Sequence, residues 1–287
     1  MAQPQTLTPP HIIYFAREEP VAGRAPALQI THTLDGLAQA GASVQFVTPW
    51  PAARIRQFHQ HATGRALPAA IDIVSIGNGP DLPLLWRSWP SPVWSGIRRR
   101  LRRHLSRCAG RAGCVLYTRN RRVAADLADA GVPVVFECHE LRALTMAQRD
   151  HLQSEHRRIG AVRREEMRAL ANVRMLVTIT RPLADDLLIE YSYRGPLRVI
   201  PDGVDPALFA VPPQQRRPQP GRLLYIGSLL AWKGIGLALG ALRAVPEATL
   251  DICGGKPASR DWQTREDAAR RLGVSGRIRM HGTLPQA

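Results

Sequence analysis

The sequence predicts an α/β protein built from two doubly wound units, on three observations. Short apolar, β-rich runs alternate with longer amphipathic stretches along the chain. Runs such as Val134-Val135-Phe136 are apolar on consecutive residues, so both faces of the strand are buried, as in a parallel sheet covered by helices. Finally, the tract VPPQQRRPQPG at 211–221 is proline-rich, polar and without apolar periodicity, and the alternation restarts behind it.

Taken in order, the first unit covers residues 1–210. Its apolar runs predict strands over 11–16, 43–48, 71–75, 114–117, 133–137, 175–179 and 197–201. Helical periodicity lies between them, at 25–40, 121–130, 154–171 and 182–190. This βαβ alternation is the pattern of a Rossmann-like domain. Residues 211–221 read as a linker. The second unit, 222–287, offers strands at 222–226, 248–253 and 277–281 with helices at 233–245 and 260–272.

Size and composition bound the function. A chain of 287 residues can hold two domains with real cores, and 45% hydrophobic with 22% charged residues is ordinary globular composition. No apolar run approaches the roughly 18–20 residues that cross a bilayer. Residues 1–10 lack the basic start and apolar core of a secretory signal, so the expected location is cytoplasmic. Cys108, Cys114, Cys138 and Cys253 show no CxxC spacing and read as plain buried thiols. The formal net charge is +16, and Lys233 and Lys256 are the only lysines, so nearly all of the positive charge is arginine. Codon bias in a GC-rich genome accounts for such a preference without function. The alternative is affinity for polyanions: nucleotide diphosphates, anionic lipid or nucleic acid.

In open parallel sheets ligands bind beyond the carboxyl ends of the strands. The residues that follow the predicted strands are 17–23, Thr118-Arg119, His139-Glu140, Thr180 and Asp202-Gly203 in the first unit. In the second they are Gly227-Ser228, Gly254-Gly255-Lys256 and Gly282-Thr283. The set is cationic or neutral with few carboxylates, which suits an anion such as a nucleotide diphosphate. Its strongest local element is YIGSLLAWKG at 225–234, where a strand ends at Gly227 and Lys233 is expected to open the next helix. Free amides at a helix start and the helix dipole both attract phosphate. The GxxxxGK[ST] spacing of a P-loop is absent, and a solvated lysine is the alternative.

The loop Gly-x-Leu-x-x-x-Lys-Gly from Gly227 to Gly234 resembles the donor-diphosphate loop of family 4 retaining glycosyltransferases. Pro20-Val21-Ala22-Gly23 and Gly36-Leu37-Ala38-Gln39-Ala40-Gly41-Ala42-Ser43-Val44 are similar to the family's N-terminal glycine loop and helix–strand unit. Tyr117-Thr118-Arg119 with Val134-Val135-Phe136-Glu137-Cys138-His139-Glu140 looks like its YxR and ExHe pair. Asp202-Gly203-Val204-Asp205 with Phe209, and Leu250-Asp251-Ile252-Cys253-Gly254-Gly255, match two further segments in the right order. The resemblance implies a GT-B fold of two Rossmann-like domains, the second incomplete. It implies transfer of a sugar from a nucleoside-diphosphate donor to an acceptor hydroxyl with retention, without metal or other cofactor.

Carried over by position, the resemblance gives His139 contact with the transferred sugar and Lys233 the neutralisation of the departing diphosphate. Gly23, Gly227, Ser228, Gly254, Gly255 and Thr283 become donor-binding positions. Arg119, Glu140, Asp202 and Gly203 fall on the acceptor side. Two departures stand out. The family has an arginine where this chain has Ser228, so Arg222 or Lys256 would have to reach in. The family's paired glutamates late in the second domain have no counterpart before Ala287, from which a C-terminally truncated chain of little activity is expected.

Trp86, Trp89 and Trp94 precede a stretch, 97–108, in which Ile97, Leu101, Leu105 and Cys108 form one apolar helical stripe among six arginines. Such a helix either packs its stripe on the sheet or lies on an anionic membrane surface. The expected partners are therefore a nucleotide-sugar donor, a glycan or lipid-linked acceptor and peripheral anionic membrane, and not nucleic acid, since no recognised module is present. A nucleotide-sugar epimerase on the same fold and a non-catalytic basic binding module are the rival functions.

Overall fold

The computed structural model describes residues 10–21, 24–77, 92–108, 111, 113–127, 130–149, 156–204, 206–210 and 218–284. The chain forms two compact units, Met1–Val204 and Asp205–Ala287.

The first unit alternates strand and helix: β1 (His11–Phe15), α1 (Ala25–Gln39), β2 (Ser43–Thr48), α2 (Ala52–Thr63), β3 (Ile71–Ser75), α3 (Pro92–Cys108) and β4 (Cys114–Thr118). It continues through α4 (Arg121–Leu127), β5 (Val134–Cys138), α5 (Arg142–Arg149), α6 (His156–Asn172), β6 (Met175–Thr178), α7 (Arg181–Glu190) and β7 (Leu197–Val199). All strand pairs are parallel, in the order β3-β2-β1-β4-β5-β6-β7. The order reverses between β1 and β4, which places the topological switch point of a doubly wound sheet at their carboxyl ends.

Both faces of this sheet are buried because its strands are apolar on consecutive residues. In β1, Ile13 and Phe15 join one core cluster with Leu116, Phe136 and Leu176, while Ile12 and Tyr14 join a second with Val44, Phe46 and Ile71. Helix α3 packs on the first face. Its stripe of Trp94, Ile97, Leu101, Leu105 and Cys108 is fully buried there, so the apolar face of the Trp/Arg helix belongs to the core and not to a bilayer. What the helix turns outward is Arg98, Arg99, Arg102, Arg103 and Arg107. Trp86 and Trp89 lie outside the described residues. No helix among the described residues is long and apolar enough to cross a membrane.

The second unit contains α8 (Pro206–Phe209), β8 (Arg222–Ile226), α9 (Ile235–Ala244), β9 (Thr249–Cys253), α10 (Arg260–Arg271) and β10 (Ile278–Gly282). Its three strands are parallel in the order β10-β9-β8. One face, with Leu250 and Ile252, packs with Ile235, Leu239, Leu242 and Ala269 of α9 and α10. The other face leaves apolar side chains of β8 open. Leu224 and Ile226 are 62% and 75% exposed there, beside Asp251, which Arg222 Nε and His281 Nε2 each approach to 2.7 Å. Most of the linker, 211–217, lies outside the described residues.

Candidate active site

The carboxyl edge of the first sheet is built strand by strand. At the end of β4 the Thr118 hydroxyl donates to Phe15 O of β1 at 3.1 Å, and Asn120 N–H donates to that same hydroxyl oxygen at 3.1 Å. The Asn120 side-chain oxygen Oδ1 then caps α4 by accepting from the amides of Arg122 (3.1 Å) and Val123 (3.2 Å). Arg119 is thereby fixed between a pinned threonine and a helix cap, at the switch point.

Its guanidinium organises the site. Arg119 Nη2 donates to His139 Nδ1 at 2.9 Å and to Gln29 Oε1 of α1 at 3.0 Å. Gln29 Nε2 in turn donates to Asp202 Oδ2 at 2.5 Å, which ties the segment after β7 to α1. A guanidinium has only hydrogens to offer, so Nδ1 must accept. The ring proton then sits on Nε2, 2.6 Å from Glu137 Oε1. His139 is thus held in one tautomer between a donor and a carboxylate.

Glu137 is buried at 7% exposure, in the middle of an apolar strand. Burial alone would raise its pKa, but the hydrogen bond and charge of His139 and the charge of Arg119 outweigh it and hold the carboxyl below its usual range. Burial and the adjacent Glu137 carboxylate push Tyr117 far above the usual phenol range, so its hydroxyl stays protonated. Tyr117 stacks on Tyr14 at a ring separation of 5.2 Å, giving the cluster a rigid floor. The loop after His139 is held from behind by Glu166, which is buried and accepts from Arg142 N at 2.7 Å and from Tyr191 Oη at 2.5 Å.

Glu137, His139 and Asp202 offer ligand atoms within 4.8 Å of one another. Both nitrogens of His139 are already committed, and the positive charge facing these carboxylates is the Arg119 guanidinium. Arg119 Nη1 and Glu137 Oε2 are buried without a hydrogen-bond partner among the described residues.

In the second unit the strand ends meet backbone to backbone. Gly227 N–H donates to Cys253 O at 3.0 Å and Gly254 N–H to Gly282 O at 2.6 Å. Gly254 has φ of 137°, and a Cβ there would lie 1.9 Å from Gly227 O. Its glycine is therefore required by the neighbouring strand end. A Cβ on Gly255 would meet Leu229 Cδ1 at 2.5 Å. Thr283 donates to Gly255 O at 3.2 Å, and the Tyr225 hydroxyl donates to Ser228 O at 2.7 Å, bracing the 227–230 loop.

Lys233 differs from expectation. It is exposed and closes a 3₁₀ turn, Ala231–Lys233, while Gly234 in the left-handed conformation (φ 81°) precedes α9. The helix therefore opens at Ile235, and the lysine stands one turn ahead of its amides. Arg222 does not reach the loop: it lies at the amino end of β8, bonded to Asp251 and to Gln219 Oε1 at 2.9 Å. The cation that does approach is Arg265 of α10, whose Nε donates to Leu229 O at 3.2 Å.

Of the sequence-predicted residues, the structure gathers Arg119, His139 and Asp202 in the first unit, and Gly227, Ser228, Gly254, Gly255 and Thr283 along one strand edge of the second. Glu140 is exposed and contributes its carbonyl, which accepts from Cys138 Sγ at 3.5 Å. Nothing within 4 Å opposes a side chain at Gly203. Gly23 lies outside the described residues. Glu137, Gln29, Tyr117 and Arg265 are additions. Glu137 was signalled by a carboxylate inside an apolar strand; Gln29 and Arg265 carry no sequence signal.

Two such units, with polar clusters at the carboxyl edges of parallel sheets, define the class of GT-B glycosyltransferases. HepE of Anabaena, solved in complex with UDP and glucose, shares the fold at a TM-score of 0.61 and 14% identity over 96% of this chain and 70% of that one. The catalytic domain of starch synthase IV from Arabidopsis thaliana, bound to ADP and acarbose, matches at a TM-score of 0.61 and 12% identity, over 96% and 75%. The lipopolysaccharide outer core galactosyltransferase WaaB in its apo form matches at 0.56 and 13%, over 96% and 68%. No curated protein matches the chain by sequence. Residues 27–208, well over half of the chain, match the model of Glycosyltransferase Family 4, and the chain belongs to that family.

Proposed function

We propose that this glycosyltransferase takes a sugar from a nucleoside-diphosphate donor and passes it to an acceptor hydroxyl with retention of anomeric configuration, in glycan or glycolipid synthesis at the cytoplasmic side. The observation that carries this reading is the Arg119–His139–Glu137 chain of hydrogen bonds at the switch point of the first sheet. A histidine locked in one tautomer presents a fixed face to a sugar, and the arginine beside it presents a fixed positive charge to phosphate.

The second unit carries groups suited to a diphosphate. Loop 227–230 offers backbone close to the strand edge, and Lys233 and Arg265 offer charge. Their attraction to the diphosphate strengthens as the glycosidic bond breaks and negative charge accumulates, so it favours the transition state over the bound donor. No metal is needed for that role in this reading.

The test is incubation of the purified chain with UDP-, ADP- and GDP-sugars, each with and without glycan and lipid-linked acceptors. Acceptor-dependent transfer, however slow, with the product's anomeric configuration matching the donor's, is expected. A new free nucleotide sugar formed from donor alone would mark an epimerase instead, and inverted product would overturn retention.

A further inference from the structure

Two of the four cysteines, Cys108 and Cys114, come together in space. Cys108 closes α3, Cys114 opens β4, and His11 opens β1. Parallel pairing sets His11 opposite Cys114, and His11 N–H donates to Gly113 O at 3.1 Å. The ligand atoms of His11, Cys108 and Cys114 all lie within 4.8 Å of one another, and the two cysteines are buried. All three residues sit at the amino ends of the strands, the edge opposite the candidate active site.

The histidine is prepared for a ligand. Its Nδ1 lies 3.3 Å from Ser43 Oγ. Its Nε2 is buried and has no hydrogen-bond partner among the described residues. With Nδ1–H donating to Ser43, the Nε2 lone pair is left directed into the protein. That is the arrangement by which a second group fixes the tautomer of a metal-ligating histidine. An orphaned buried nitrogen is otherwise a cost that native proteins avoid.

We propose that His11 Nε2, Cys108 Sγ and Cys114 Sγ form a binding site for a thiophilic divalent cation of the zinc class. Two sulfurs and one imidazole nitrogen are the donor set that zinc selects, with water in the fourth tetrahedral position. Metal–sulfur and metal–nitrogen bonds of about 2.3 and 2.0 Å require only a modest contraction of the present cluster. On binding, each thiol releases one proton to solvent and the two thiolates neutralise the dication, so the buried centre carries no net charge. Burial holds the Cys114 thiol protonated against this, Cys108 adds to that effect, and the nearby Arg111 favours the thiolate. The bound ion would tie α3 to the paired strands β1 and β4 at this edge.

The test is titration of the reduced, metal-free chain with Co²⁺, followed by competition with Zn²⁺. A thiolate-to-cobalt charge-transfer band that saturates at one equivalent and is displaced by Zn²⁺ is expected. Cys108→Ser and Cys114→Ser should each abolish the band, His11→Gln should weaken binding at least tenfold, and the Cys138→Ser/Cys253→Ser double variant should leave it unchanged. Zn²⁺ should also raise the melting temperature of the wild-type chain and not that of Cys108→Ser. Absence of the band in folded wild-type protein would overturn the proposal without recourse to any variant. So would a band that survives in the Cys108→Ser/Cys114→Ser protein.

Discussion

Arg119, His139 and Glu137 form a directional chain: guanidinium to Nδ1, then Nε2–H to carboxylate. Replacing Glu137 by Gln keeps the volume but removes the charge that anchors the ring proton. Loss of a hydrogen bond to a charged group costs about 1.5–3 kcal/mol, roughly ten- to a hundredfold in rate. Glu137→Gln should therefore lower kcat by that factor with donor KM little changed, and ¹⁵N spectra should show His139 no longer in a single tautomer. Glu137 also gives a pH signature. Its folded-state pKa is depressed, so the unfolded chain binds more protons as pH falls below about 4.3, the ordinary glutamate value. The stabilisation is present above that value and is lost as pH falls through the folded pKa. Urea unfolding of wild type should weaken over that acid range, and Glu137→Gln should flatten the slope. On the leaving-group side, Lys233→Ala should weaken nucleoside-diphosphate binding by about 1.5–3 kcal/mol in calorimetric titration, and Arg265→Ala by a similar factor. Unchanged affinity in either variant would remove that residue from the site.

Among the elements, the strands were the most legible, because each is a short apolar run that must be buried on both sides. Strand β2 and strand β8 have the same bounds in sequence and structure. Helices α2 and α5 were not anticipated, since their apolar positions are few and polar residues dominate both. The start of α9 was misplaced for a specific reason: a lysine before a glycine looks like a helix opening, but Gly234 turns left-handed and delays it to Ile235. The cluster around His139 was legible only in part. Arg119 and His139 lie in recognisable segments, whereas Gln29 enters from α1, far away in sequence, and only the fold brings it near. Strand edges explain the glycines in the same way. Gly254→Ala would drive a Cβ to 1.9 Å from Gly227 O, so the two strand ends must separate. Overpacking of that kind costs about 1–3 kcal/mol or more, and thermal melting should show the loss. Gly203→Ala, with open space around it, should melt like wild type.

At the scale of the whole molecule, the net charge of +16 remains to be accounted for. The stripe of α3 is spent on the core, so attraction of this helix to a membrane would be electrostatic, through arginines such as Arg99, Arg103 and Arg107. Binding to anionic vesicles should then disappear at high salt, and Arg99→Gln/Arg103→Gln/Arg107→Gln should weaken it. Persistence at high salt would indicate apolar insertion elsewhere. The strand edge of the second unit is expected to hold a nucleoside diphosphate. Hydrogen exchange of the purified chain with and without UDP, ADP and GDP tests it most directly. One of the three should slow exchange at residues 227–234 and 254–255, with less protection in Lys233→Ala. No change at these amides with any of the three, or protection confined to other segments, would contradict it.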